Sequence, residues 1–506
     1  MSIVSLPFYA AVFLALILYY VIPANTQWIW LLVLSIGFIY LNGSIEIVAV
    51  FFLMGFIAYL GARMMPKLSG KRRNAACILS VCLLAGILFV SKDLDFFNTP
   101  IVLVKILTGQ PPTKVAFPVL QLIGMSYFTL SLIGYVLDVY WEKYLPETNF
   151  FKVLLFAGYF PQLTSGPITR FSEMSVQLFA PHSFDADRFI WGAERAIWGC
   201  FKKLVLADRA AMFVSSIFDC YPNNGALYLL GTFVYAFQLY ADFSGCMDIV
   251  LGVSECFQIH LPENFNTPFA SESLGEFWRR WHITMGVWFK EYLLYPLMKT
   301  DRFQKINQKL RKKIGKKYGK KLATSLSLCV LWFVIGVWHG GSLLFICASG
   351  LIPGFFLVLE ELLEEPVQKL LQKLRIDPKS VGWRFVRRLR VLLTMCCSWI
   401  TIRSGSVFSA ALNVKAILTR LNFGVLCDGT LLEAIDGNDW IILAVGLVIM
   451  TVVGIWHEKG VHIREEFQKK NILLRWVVLI AAIFSILILG IYGPSYDASS
   501  FIYKQF

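Results

Sequence analysis

From Leu322 to Leu359 the chain runs for 38 residues without a single Asp, Glu, Lys or Arg, and basic segments flank both ends. A stretch that long and that apolar does not suit a soluble core, because about 20 apolar residues already cross a bilayer. Similar apolar runs recur along all 506 residues, of which 57% are hydrophobic and only 16% charged. Soluble domains carry about 25% charged residues. The runs are continuous rather than alternating, so helices are expected and a barrel is not.

The fold class expected is therefore all-α and integral to the membrane. Spanning or embedded segments are placed near 5–22, 28–42, 46–62, 75–91, 115–139, 151–166, 191–217, 226–257, 274–297, 322–338, 342–359, 391–409, 440–456 and 475–492. Some are too short or too polar to cross fully, which leaves roughly eleven to thirteen helices on the length rule. The basic stretches 63–73, 299–321, 369–390 and 458–470 are assigned to the cytoplasmic face. Counting from them puts both termini outside the plasma membrane. The run 299–321 also reads as an amphipathic helix lying on anionic lipid.

The formal charge of +14 fits basic cytoplasmic loops. It does not point to nucleic acid, since no interleaved aromatic and basic groove pattern occurs. Eleven scattered cysteines give no metal-ligand spacing and no disulfide framework. No metal is expected.

Six histidines remain to be placed. His182, His457 and His462 sit in polar stretches and read as solvated, and His260 is ambiguous. His339 is the only ionisable imidazole of the 38-residue run. With both flanks cytoplasmic, the run must enter and return, turning at "HGGS", where Gly340 and Gly341 supply the tight backbone. Leu322 to Trp338 rises about 26 Å as a helix, which puts His339 at the tip of a hairpin most of the way across. One reading is a buried histidine satisfied by a carbonyl. The other is a functional imidazole, the side chain best poised near neutral pH to take a proton from a hydroxyl.

A second cluster is "EFWRRWHITMGVWFKEYLLYPL", Glu276 to Leu297. As one helix over 276–290 it would align Trp278, Trp281, Met285 and Trp288, with Arg279, Arg280 and His282 projecting elsewhere. An interfacial tryptophan girdle accounts for the indoles but not for a titratable ring beside two arginines. In a third cluster, "YAFQLYADFSGCMDIVLG" (235–252), Gln238, Asp242, Ser244 and Asp248 interrupt an apolar run. Either Gly245 breaks the helix and the acids cap the break, or the polar groups line a tunnel.

These stretches together resemble the membrane-bound O-acyltransferase family, in its bacterial branch serving cell-envelope polymers: alginate O-acetylases, peptidoglycan O-acetyltransferases and teichoic-acid D-alanine transferases. The resemblance rests on "GYFPQLTSGPITRF" (158–171), "FKKLVLADR" (201–209), "AFQLYADFSGCMDIVLG" (236–252), "LPENFNTPF" (261–269), "EFWRRWHITMGVWFKEYLLYPL" (276–297) and "GVWHGGSLLFICASGL" (336–351). It covers about residue 115 to the C-terminus, whereas the first hundred residues match only as hydrophobic helices. It implies a ring of helices around a thin centre, with N-terminal helices over 1–114, a catalytic core over 115–410 and C-terminal helices over 411–506.

The family's "WHG" histidine falls on His339 and its upstream histidine on His282. The implied chemistry is acyl transfer from a cytoplasmic thioester, acetyl-CoA or a carrier-protein acyl group, to hydroxyls of an extracytoplasmic polysaccharide, with no tightly bound cofactor. His339 is the general base. Arg279, Arg280, Trp338, Gln238 and Asp242 fall in donor-binding stretches. The terminal "SSFIYKQF" resembles an aromatic motif of this branch, so Tyr503 is either an acyl relay or an interfacial anchor. An SGNH-hydrolase-like extracytoplasmic partner is implied. D-alanyl transfer to teichoic acid, a lipid or lipoprotein acyltransferase, and a transporter without covalent chemistry remain as alternatives.

Overall fold

A computed structural model of the chain describes residues 2–92, 97–111, 124–221 and 224–491. Regular structure among them is helical, apart from one isolated antiparallel bridge between Phe265 and Trp281. Seven helical stretches are long and apolar enough to cross a bilayer: Ala24–Leu41, Ile45–Lys67, Gly70–Lys92, Lys316–Gly340, Leu343–Lys373, Gly437–Glu458 and Ile472–Leu489. Leu6–Val21 and Val407–Thr419 are apolar but shorter. The protein is therefore an all-α, multi-pass membrane protein. Large apolar side chains such as Val448, Leu473, Trp476 and Leu487 stand exposed on the C-terminal helices, as expected where hydrocarbon is the solvent.

The N-terminal helices pack on the middle of the chain. Ile45–Met64 lies against Met125–Tyr140 and Phe150–Gly158. A Cβ on Gly55 would sit 2.3 Å from Leu154 Cδ2, so any larger residue there would displace the Leu154 side chain. Segment 151–166, expected as one embedded helix, is helical only over Phe150–Gly158. Tyr159, Phe160 and Gln162 then follow in buried turns. Irregular backbone at depth is tolerated because it is enclosed by protein.

The centre is built on one 32-residue helix, Gly225–Cys256. It runs unbroken through Gly245, so the acids of this segment do not cap a helix break. Gly245 serves packing instead. A Cβ there would meet the Gly199 carbonyl at 2.9 Å, and one on Gly252 would meet the Gly192 carbonyl at 2.4 Å. Helix Ala186–Cys200 thus presses backbone to backbone on Gly225–Cys256, the close approach that small residues allow between membrane helices.

That contact continues into a π-helical turn, Phe201–Ala207, which carries two buried lysines. Lys203 is 2.7 Å from both Asp208 and Asp242, and Lys202 is 2.6 Å from Asp248. Arg195 bonds Asp248 at 2.9 Å and Glu263 at 2.6 Å. Asp242 and Asp248, too widely spaced for one helical face, each find their own lysine. The basic run 299–321 contains the helix Asp301–Ile314, which stops at Gly315 with φ +89° before Lys316–Gly340 begins.

Candidate active site

Helix Lys316–Gly340 ends at Gly341 in the left-handed conformation, φ +62°, where glycine is favoured. The chain then returns through Leu343–Phe345, a π-helical turn at Ile346–Leu351 and the helix Ile352–Lys373. The two arms touch at backbone distance. A Cβ on Gly336 would meet Ile346 Cα at 2.9 Å, and one on Gly350 would meet the Trp332 carbonyl at 2.6 Å. Trp338 and His339 occupy the last turn before this bend, both buried. The hairpin expected around "HGGS" is therefore present, with His339 beside its turn.

His282 arrives from a different kind of bend. The stretch 276–290 is not one helix: Leu274–Arg280 stops, Trp281 is extended, and His282 takes φ 47°, ψ 52° before Ile283–Phe289 starts. A left-handed non-glycine residue costs about 1–3 kcal/mol and persists only where its surroundings enforce it. Here the Asn266 amide donates to the Arg280 carbonyl at 2.9 Å, and the Ile283 amide donates to the Asn264 carbonyl at 3.0 Å. The break also splits the expected tryptophan face. Trp278, Trp281 and Met285 turn to the cavity described below, whereas Trp288 donates its indole N–H to the Leu130 carbonyl at 2.9 Å.

Asn264 fixes the His282 ring. Its side-chain oxygen accepts from the Thr284 amide at 3.1 Å and from the Thr284 hydroxyl at 3.0 Å, and lies 3.3 Å from His282 Nδ1. The backbone donor identifies that atom as oxygen, so Nδ1 is the nitrogen that carries a proton towards it. Nε2 is left as the acceptor of the ring. Phe243 meets the imidazole edge-on at 4.9 Å and Tyr127 stacks on it at 6.3 Å.

The two histidines, 57 residues apart in sequence, share one wall. Trp338 lies between them, its ring centroid 4.9 Å from His339 and 6.4 Å from His282. Both imidazoles line a cavity of about 30 Å³, walled further by Trp278, Trp281, Trp332, Met395, Ser398 and Trp399. That volume holds about two waters. The indole N–H groups of Trp278 and Trp332 have no hydrogen-bond partner among the described residues. Two imidazoles and two indole donors around one small space supply a base and electrophilic donors together, the pairing that carbonyl addition requires.

The other candidate residues lie further out. Arg279 is exposed. Arg280 is 2.9 Å from Glu276, donates to Thr267 at 3.0 Å and pairs with Glu458. Neither arginine lines the cavity. Leu239 does, but Gln238 and Asp242 on the same helix do not. Tyr503 lies outside the described residues. Sequence reasoning passed over Asn264, although it stands inside "LPENFNTPF", and it passed over Trp332, Ser398 and Trp399. Nothing in an apolar run marks which indole faces a cavity.

No family model matches the chain. It is 28% identical over 337 residues to a "Probable alginate O-acetylase" of Pseudomonas syringae pv. tomato, covering 66% of this chain and 58% of that protein. It is 30% identical over 380 residues to a peptidoglycan O-acetyltransferase of Helicobacter pylori, covering 69% and 66%. Over 273 residues it is 28% identical to a teichoic acid D-alanyltransferase of Streptococcus thermophilus, covering 52% and 61%. The matches thus span about six to seven tenths of these relatives' own length.

Proposed function

Because the chain belongs to the membrane-bound O-acyltransferase family, we propose that it transfers an acyl group, acetyl foremost, from a cytoplasmic thioester to hydroxyls of an extracytoplasmic cell-envelope polysaccharide. The observation that carries this reading is the meeting of His282 and His339 at one small buried cavity.

In the proposed step, His339 takes the proton of the acceptor hydroxyl as its oxygen adds to the thioester carbonyl. The carbonyl π electrons move to oxygen, and the indole N–H groups of Trp278 and Trp332 are the donors at hand for that charge. On collapse the C–S bond breaks, and the leaving sulfur takes the proton from the imidazolium, departing as a thiol and returning His339 to its neutral form. His282, its Nδ1–H directed at Asn264, offers Nε2 to the same space. The small cavity favours a short acyl group over a long lipid chain, so acetyl and D-alanyl rank above fatty acyl donors. Exposed Arg279 is then the candidate for donor phosphates, while Arg280 is engaged with Glu276 and Glu458. Delivery to the polymer calls for an SGNH-hydrolase-like extracytoplasmic partner, with Tyr503 as the relay.

The test is intact mass spectrometry of the purified protein after incubation with acetyl-CoA, beside His339→Ala and Tyr503→Phe. An acetyl adduct on the parent protein, absent from both variants, supports donor, base and relay together. An adduct retained by His339→Ala removes the base from the scheme. With no adduct on any protein, turnover is followed as thiol release on adding the acceptor. Absence of that release, and of its dependence on His339, sinks the reading.

A further inference from the structure

Helix Gly70–Lys92 belongs to the N-terminal part of the chain, well away in sequence from both histidines, yet its last residue reaches the helix end that carries His339. Lys92 Nζ donates to the Trp338 carbonyl at 2.8 Å and to the Ser126 hydroxyl at 3.0 Å. It also lies 5.6 Å from the centroid of the Trp338 ring. The Trp338 carbonyl is the oxygen of the peptide bond that joins Trp338 to His339. A helix leaves its last four carbonyls without amide partners, and a cation there is doubly favoured, by the hydrogen bond and by the helix dipole. The Gly341 amide serves the Val337 carbonyl and the Ser342 amide serves the Gly340 carbonyl. Lys92 serves the Trp338 carbonyl, one of the two that lie between them. Ser126 is the second residue of helix Met125–Tyr140, and its neighbour Tyr127 meets Trp338 edge-on at 5.9 Å and stacks on His282. One ammonium therefore ties together three segments around the paired histidines.

We propose that Lys92 is a positioning residue of the acyl-transfer site: by capping the Trp338 carbonyl and holding Ser126, it sets the rotation of the last helical turn and so the direction of the His339 ring. The inference rests on the acyltransferase reading, since it assigns Lys92 a role through His339. Its hydrogen bonds to the Trp338 carbonyl and the Ser126 hydroxyl are what the role rests on. A shift of about 1 Å in a reacting group costs on the order of 100-fold in rate. Loss of the cap is accordingly expected to lower turnover by about 10- to 100-fold while donor affinity stays.

The experiment uses the full-length protein in lipid nanodiscs, with acetyl-CoA as donor and thiol release as the readout. Parent, His339→Ala, Lys92→Met and Lys92→Arg are compared, and hydrogen–deuterium exchange is followed over Val337 to Leu343. The expected result is a kcat loss in Lys92→Met at unchanged KM for acetyl-CoA, recovery of most of it in Lys92→Arg, and faster exchange at Gly340 to Ser342 in the Met variant alone. Turnover in Lys92→Met equal to the parent overturns the proposal, as does a loss that Arg does not recover in a protein of parental exchange. His339→Ala separates the two readings. If it turns over as fast as the parent, the acyltransferase scheme falls and the positioning role falls with it, leaving the exchange data to report a helix cap alone.

Discussion

The Asn264 side-chain oxygen holds His282 and Thr284 at once, 3.3 Å from the imidazole Nδ1 and 3.0 Å from the hydroxyl. One amide thereby sets the tautomer of a buried histidine and adds a bond to the Thr284 amide beside the left-handed turn. Replacing Asn264 by Ala removes these side-chain bonds and leaves the backbone bonds that hold the turn. Turnover is expected to fall about 10- to 100-fold, in line with the loss on disturbing a ligating or catalytic histidine's partner. Asn264→Asp, which keeps the acceptor, should retain more activity than Asn264→Ala. Thiol-release kinetics on the two variants check this, and equal activities would show that Asn264 only packs.

His339→Ala and His282→Ala are expected to behave differently. Loss of a general base costs about 10²- to 10⁴-fold in kcat, and that range is expected for His339. His282→Ala and His282→Gly both cost turnover and both empty the space among Phe243, Tyr127 and Trp338. The Gly variant should melt above the Ala variant, because glycine takes φ +47° without the strain of a Cβ. Melting curves in detergent check this, and a His282→Gly protein that melts below His282→Ala would contradict the strain argument.

Arg280 distinguishes a structural from a donor-binding arginine. It pairs with Glu276 and Glu458. Arg280→Glu should destabilise the protein and lower activity, and Glu458→Arg placed on top should restore much of both. If Arg280 instead binds donor phosphates, the swapped pair stays inactive with a raised KM for acetyl-CoA.

Glu272 gives a pH prediction on the polar flank of the site. Partial burial opposes its charge, but the hydrogen bond from Arg384 and the charges of Arg387, Arg384 and Arg388 outweigh it and hold the carboxyl below its ordinary value. A depressed folded pKa means stability present above the unfolded pKa and lost as pH falls through the folded one. Glu272→Gln should therefore melt below the parent at pH 7, and the gap should close as pH drops below about 4. A gap that stays constant across that range would rule out the ion cluster as its source.

Gly336 and Gly350 make a packing prediction. Gly336→Val places atoms where Ile346 and Gly350 backbone already sit. Overpacking of this kind costs about 1–3 kcal/mol or more. The hairpin should open, with lower melting temperature and lost turnover, whereas Gly37→Ala, at a position with nothing within 4 Å of an added Cβ, should be silent.

Much of this arrangement was legible in residue order. The 38-residue apolar run with His339 and two glycines described its own hairpin, because charge and turn residues act locally. The N-terminal helices Leu6–Val21, Gln27–Leu41, Ile45–Met64 and Gly70–Lys92 fall close to their expected bounds for the same reason. What remained hidden was tertiary. Nothing near Gly245 discloses that Gly199 crosses there, so a helix break stood as one of two open readings. Trp278 to Trp288 fits one helical face until Asn264, from another segment, bends it at His282. Arg280 is bound by Glu458, 178 residues later, and no spacing rule reaches that far. Lys92 reads as a loop cation for the same reason.

Lys202 and Lys203 leave the ribosome 39 to 46 residues ahead of Asp242 and Asp248, the carboxylates they meet. Each lysine carries an insertion cost of about 2.5–3.5 kcal/mol at the middle of a lone helix. The segment through Phe201–Ala207 is therefore poor cargo for the insertion machinery by itself. Asp208 partners Lys203 within the segment, whereas Asp242, Asp248 and the glycine seam arrive only with Gly225–Cys256. A mutation at Asp248 is therefore expected to register first as a lower yield of membrane-integrated protein, before any loss of turnover is assayed.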